Sequence, residues 1–190
     1  MIDDIDASSS TLRLLVSQAL KSWNIGAVLK LLFDDDCIVR TSAARELQVR
    51  GGSEVFSQVK MLVNDSRAYV REICAFTLGQ LGTPDMPYKN KSFPLLLTLL
   101  EDKDVEVKAA AAAALGHLSF SGMPKDVEEA LLFSSKDKDK TVRACVAYAL
   151  GNSSGREAVK NSLAQLRNDK EKSVRSYAEL GIELLDDNRH

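Results

Sequence analysis

Five times along the 190-residue chain a Val followed by a basic residue stands in one fixed register with an Asp: Val39-Arg40, Val70-Arg71, Val107-Lys108, Val142-Arg143 and Val174-Arg175. The basic residues are 31, 37, 35 and 32 positions apart, and an Asp stands six residues before each: Asp34, Asp65, Asp102, Asp137 and Asp169. Four residues after each come Ala44, Ala75, Ala112, Ala147 and, as the exception, Glu179. Seven residues after come Leu47, Leu78, Leu115, Leu150 and Ile182. Three copies then carry Gly79, Gly116 and Gly151. A sequence that repeats itself at such a period builds stacked supersecondary units.

Each copy reads as the start of a helix. The Asp lies in the turn or near the helix N-terminus, where the dipole favours negative charge. The Val and the residues four and eight positions later share one face. The Gly suits a helix C-terminus. Another apolar helical stretch precedes each copy: Ile25–Phe33, Val55–Val63, Phe93–Leu100, Val127–Phe133 and Ala158–Leu166. The unit is therefore helix A, short turn, helix B. Neither helix hides its apolar side alone, so the units must stack. Composition agrees: 45% of residues are apolar and only 6% aromatic, so the core is built from Ala, Leu and Val.

A two-helix unit of this length, with Asp in its turn and Val-Arg opening the second helix, resembles the HEAT repeat, most closely the short bacterial HEAT-like type. The resemblance covers residues 24–185 and implies an all-α fold: an α-solenoid of about five helix pairs. It also implies an Asp–Arg ladder between neighbouring repeats, carried here by Asp34, Asp65, Asp102, Asp137 and Asp169 with Arg40, Arg71, Lys108, Arg143 and Arg175. Lys108 cannot make the bidentate pair that Arg makes.

The whole of 1–190 is expected to form one solenoid domain. Ser8-Ser9-Ser10-Thr11 reads as an N-cap region and Leu12–Leu20 as a helix, so 8–22 is taken as the N-terminal cap, 24–185 as five repeats and 186–190 as a polar tail. Glu179 and Glu183 on the last B helix suit an outward-facing final surface. Thr83–Ser92, with Pro84 and Pro87, reads as a connecting loop. Met86 and Tyr88 within it are candidates for contacts or plain connector residues.

If the Val face is core, positions one, two and five after the basic residue point the other way, onto the surface lined by the B helices. Arg45, Glu72, Ile73, Phe76, Tyr148 and Tyr177 fall there. Aromatics beside an Arg are typical interface anchors. Ala109–Ala114 would leave a shallow saddle between larger neighbours. These six residues are the expected partner-binding set on the concave face.

Catalytic signatures are missing from the sequence. It has two histidines, His117 and His190, and no GxSxG, HExxH, P-loop or GxGxxG. The reading is non-enzymatic, without cofactor or metal. Cys37, Cys74 and Cys145 are an odd, widely spaced set with no CxxC, and they read as ordinary small residues. The acidic start, with no apolar h-region, and the lack of an apolar run near 20 residues predict a cytosolic protein without membrane contact. The net charge is −2, but residues 134–175 hold ten basic and five acidic side chains. That stretch keeps nucleic-acid binding open as an alternative.

A second resemblance covers residues 38–81. Ser42-Ala43-Ala44-Arg45, Leu47-Gln48, Arg50-Gly51-Gly52 and Ala75-Phe76-Thr77-Leu78-Gly79-Gln80 look like enterobacterial HEAT-repeat proteins encoded beside Rhs and related polymorphic toxins. It implies an immunity protein, a non-catalytic module that binds a toxin domain across its concave face. Other HEAT-like proteins excise damaged bases or help attach linear tetrapyrroles, and these remain alternatives.

Overall fold

The computed structural model describes residues 2–187, with side chains from Thr11 onward save Ser121. The described residues form eleven α-helices and no strand. A long first helix, α1 (Ile2–Leu20), precedes five antiparallel pairs. The A helices are α2 (Ile25–Lys30), α4 (Gly52–Met61), α6 (Lys89–Leu100), α8 (Lys125–Ser134) and α10 (Glu157–Leu166). The B helices are α3 (Cys37–Arg50), α5 (Ala68–Leu78), α7 (Val105–Leu118), α9 (Lys140–Leu150) and α11 (Lys172–Asp187). The B helices from α5 to α11 pack extensively on one another, whereas the A helices touch their neighbours only sparsely. The row of closest approach is the inside of the curve, so the B helices line the concave face. The chain is an α-solenoid.

Three of the B helices begin where they do because of an Asp four positions before the basic residue. Asp36, Asp104 and Asp139 each accept a hydrogen bond from the backbone N–H two residues on, at Ile38, Glu106 and Thr141. These are N-caps, which satisfy donors that the first helical turn leaves free. The Asp six positions before the basic residue shapes the turn itself. Asp34, Asp65, Asp102, Asp137 and Asp169 each accept from the N–H two residues later.

Two of the three glycines end their B helices as their position suggests, and all three have a further job. Gly79 and Gly151 cap their helices with right-handed φ values of −63° and −60°, and Gly116 lies inside α7. All three mark contacts between repeats. A Cβ on Gly79 would lie 2.8 Å from Ala114 Cβ, one on Gly116 2.9 Å from Ala149 Cα, and one on Gly151 2.8 Å from Gly181 Cα. Glycine in one repeat meets a small residue in the next, and helix backbones approach to contact. The first joint is built differently. Gln48 replaces the glycine and donates through Nε2 to the Phe76 carbonyl.

Boundaries move in three places. Helix α1 starts at Ile2, so Ser8–Thr11 lie within it rather than capping it; Asp3, Asp4 and Asp6 suit its N-terminal turn. Lys89–Ser92 belong to α6 rather than to the loop. Asp186 and Asp187 end α11, and Asn188, Arg189 and His190 lie outside the described residues. The connecting segment folds back on the second repeat, with Tyr88 stacked on Phe56 at 4.8 Å and Met86 packed against the core.

Arg50 fastens α1 to the first repeat. Its guanidinium donates to the Leu20 and Trp23 carbonyls, 2.7 and 2.6 Å away, and pairs with Glu46. Hydrogen bonds from a charged donor contribute about 2 kcal/mol. Arg50→Ala is therefore expected to free the C-terminal turn of α1, seen as faster amide exchange over Val16–Leu20, with exchange in α5–α11 unchanged.

Candidate functional site: the ladder and the concave groove

Three pairs join consecutive repeats. Arg71 donates from Nε and Nη2 to the two Asp102 carboxylate oxygens, at 2.6 and 2.8 Å, and Arg143 grips Asp169 in the same way at 2.8 and 3.0 Å. The remaining guanidinium nitrogen of each closes its own turn. Arg71 Nη1 donates to the Asp65 and Ser66 carbonyls, and Arg143 Nη1 to those of Asp137 and Lys138. Lys108 pairs with Asp137 through its single ammonium and leaves the turn carbonyls of its own repeat alone. Arg175, in the last described repeat, donates to the Asp169 and Lys170 carbonyls of its own turn.

No rung forms between Arg40 and Asp65. Arg67 stands two residues after Asp65 and takes its carboxylate bidentately, with both contacts at 2.8 Å. Arg40 instead closes its own turn on the Asp34 and Asp35 carbonyls and lies over the Tyr69 ring, 4.7 Å from its centroid. A local competitor wins because it has less chain entropy to lose than a partner one repeat away.

The ladder carboxyls are held in their charged form. Hydrogen bonds from Arg67 bring Asp65 down to about 2. Those from Arg71 and Arg143 hold Asp102 and Asp169 below the usual carboxylate range. At Asp137 burial pushes upward, but Lys108 and the Asp139 N–H together outweigh it. All four are lowered on folding, so their stabilisation is fully present above the ordinary value of about 4 and is lost as pH falls below it. The melting temperature should accordingly fall between about pH 4 and pH 2, and Asp102→Asn should flatten that fall.

The six expected partner-binding residues separate on the structure. Phe76 and Tyr148 are half-buried, and Phe76 borders a recess over the α7 alanines. Glu72 is half-buried one turn before Phe76, and Arg45 and Tyr177 are exposed towards the two ends. Ile73 is a correction: it is only 7% exposed, because the close approach of α5 and α7 covers that position. The recess has a volume of about 170 Å³ and is lined by Phe76, Gly79, Gln80, Ala110, Ala113 and His117. It exists because α7 presents alanines where its neighbours carry rings. His117 lies in the last turn of α7 with its ring edge-on to Tyr148 at 6.0 Å. His117, which lines the recess, and Glu106, one turn before Ala110, were not among the six expected residues. The signal for them was helical spacing, since Glu106, Ala110, Ala113 and His117 fall on one stripe.

The positive stretch is partly consumed inside the fold. Arg143 is buried in its rung, and Arg156 pairs with the buried Glu128. Lys136, Lys138 and Lys140 are exposed. Burial pushes the Cys74 thiol up to about 12, and it also raises that of Cys145. Among the described residues no group of three His, Cys, Asp or Glu could hold a metal ion, and no helix is long and apolar enough to cross a membrane.

Stacked helix pairs with this turn chemistry define a class, the repeat α-solenoids. Within it, a family model described as HEAT repeats matches residues 57–132 and again 93–183. The chain belongs to the HEAT-repeat family. No curated protein sequence matches it. Among solved structures, YibA of E. coli superposes with a TM-score of 0.77 at 24% identity over 93% of this chain. The chain spans 63% of YibA's length. The CpcE–CpcF complex of phycocyanin lyase from a Nostoc species gives 0.70 at 21% identity, covering 83% of this chain and 97% of that one. A designed armadillo repeat protein in complex with a (KR)4 peptide gives 0.60 at 16%, covering 96% and 93%. At such identities the likeness is one of fold.

Proposed function

We propose that this chain is a non-catalytic protein-binding module, and that its partner is a bacterial toxin domain which it neutralises by covering it with the concave face. The observation that carries the binding reading is the recess between α5 and α7, where Phe76 stands beside an alanine floor and His117, whose ring meets Tyr148 edge-on, lines the same recess. Half-buried aromatics beside a recess are the residues through which interfaces gain most of their energy. The toxin reading rests on the resemblance of residues 38–81. His117, the histidine beside the recess, touches a tyrosine ring rather than a nucleophile or a carboxylate, which supports a role without chemistry.

A second reading draws on the likeness to the CpcE–CpcF complex: help in attaching a linear tetrapyrrole. The recess weighs against it. At about 170 Å³ it is smaller than the roughly 300 Å³ at which pockets for small molecules begin. Co-expression with the toxin domain encoded beside it separates the readings. Restored growth and co-purification are expected, with both lost in a Phe76→Asp/Tyr148→Asp variant that still melts cooperatively. Undiminished toxicity overturns the immunity role. A visible tetrapyrrole absorbance on the purified protein would favour the second reading.

A further inference from the structure

The recess carries information about its occupant, and the following rests on the protein-binding reading. Glu72 and Phe76 lie on successive turns of α5, and Glu106, Ala110, Ala113 and His117 on successive turns of α7. Both rows run down the concave face, so two carboxylates stand one turn from the recess, towards the N-terminal ends of the helices. The charge around Glu72 is mostly of its own sign, from Glu106 and Asp104. Arg40 is the cation within reach, and its guanidinium is occupied by the Asp34 and Asp35 carbonyls and the Tyr69 ring. Half-burial and this like-charge surrounding push the Glu72 carboxyl upward. Neither Glu72 nor Glu106 has an ion-pair partner among the described residues.

We infer that the recess lined by Phe76, the α7 alanines and His117 receives a lysine or arginine side chain of the protein partner, with its charged head between the Glu72 and Glu106 carboxylates. The chemistry matches at each point. The alanine floor accepts the aliphatic stem, which is apolar along its length. Aromatic faces attract the cation, and carboxylates bind it through charge-assisted hydrogen bonds. The volume of about 170 Å³ suits one long side chain. An acidic side chain would meet two like charges, and an apolar one would leave both carboxylates desolvated without a partner.

The test uses an alternating Lys-Arg octapeptide, blocked at both ends, and a matched Glu-Ser octapeptide, titrated at low ionic strength into the full chain. The basic peptide should bind and shift the resonances of His117 and Tyr148, and the acidic peptide should not. Glu72→Gln/Glu106→Gln should weaken binding about tenfold or more, and Ala113→Met, which fills the floor, should weaken it as well. Glu54→Gln/Glu101→Gln, on exposed parts of the A-helix side, should leave it unchanged. Failure of the basic peptide to bind, or equal binding by the Glu72→Gln/Glu106→Gln variant, overturns the inference. Neither result bears on toxin neutralisation, which the growth assay reads independently.

Discussion

Gly181→Ala is expected to destabilise the last repeat by about 2 kcal/mol, although alanine is the better helix former. Gly181 lies within α11, where the exchange alone would contribute roughly 1 kcal/mol of stability. The added Cβ would stand 2.4 Å from the Ala147 carbonyl oxygen and 3.2 Å from a Leu163 methyl. Backbone cannot rotate away as a side-chain tip can, so α11 must shift off α9. Overpacking of this kind costs about 3 kcal/mol at the upper end of its usual range. A chain of this size loses roughly 2–4 °C in melting temperature per kcal/mol. Stability in a solenoid is a sum of repeat and interface terms, so faster amide exchange should concentrate in α10 and α11. Gly26→Ala is the control. Its Cβ meets only the Asn24 side chain at 3.5 Å, and it should be neutral or slightly stabilising. Equal losses at 26 and 181 would mean that the close approach of the B helices does not govern stacking.

Arg71→Ala is expected to cost about 3 kcal/mol, the lower end of the range for removing one partner of a buried pair, because the neighbouring groove opens to solvent. The side chains of Arg71 and Asp102 are 8% and 11% exposed. Truncation leaves Asp102 charged without its partner and also orphans the Asp65 and Ser66 carbonyls. Arg71→Lys should cost roughly 1 kcal/mol, because it keeps the ion pair but not the turn bonds, as Lys108 does naturally. Thermal or denaturant unfolding checks the order: wild type, then Lys, then Ala. Equal stability of wild type and Arg71→Ala would make the ladder decoration.

The helix pairs were legible because a 31–37-residue period and a helical apolar stripe are properties of the chain itself. What was missed depends on neighbours. Gly79 and Gly151 do end their helices and Gly116 does not, but only the next repeat reveals that all three are contact points. The Arg40–Asp65 rung fits the pattern but loses to Arg67, which the pattern does not contain. Ile73 sits on the nominally outward stripe, yet α7 lies close enough to cover it. Lys89–Ser92 carries no apolar period and still continues α6, because the helix takes its phase from Phe93, Leu96 and Leu100 further along. The concave recess, by contrast, follows from residue size alone: alanines at Ala110 and Ala113 beside Phe76.

The row of B helices is the proposed binding face. Amide hydrogen exchange of the chain, free and in complex with the protein partner proposed above, tests it directly. Protection gained along α5, α7 and α9, with α4, α6 and α8 unchanged, is the expected result. Protection confined to the A helices, or none in a complex that demonstrably forms, would contradict it.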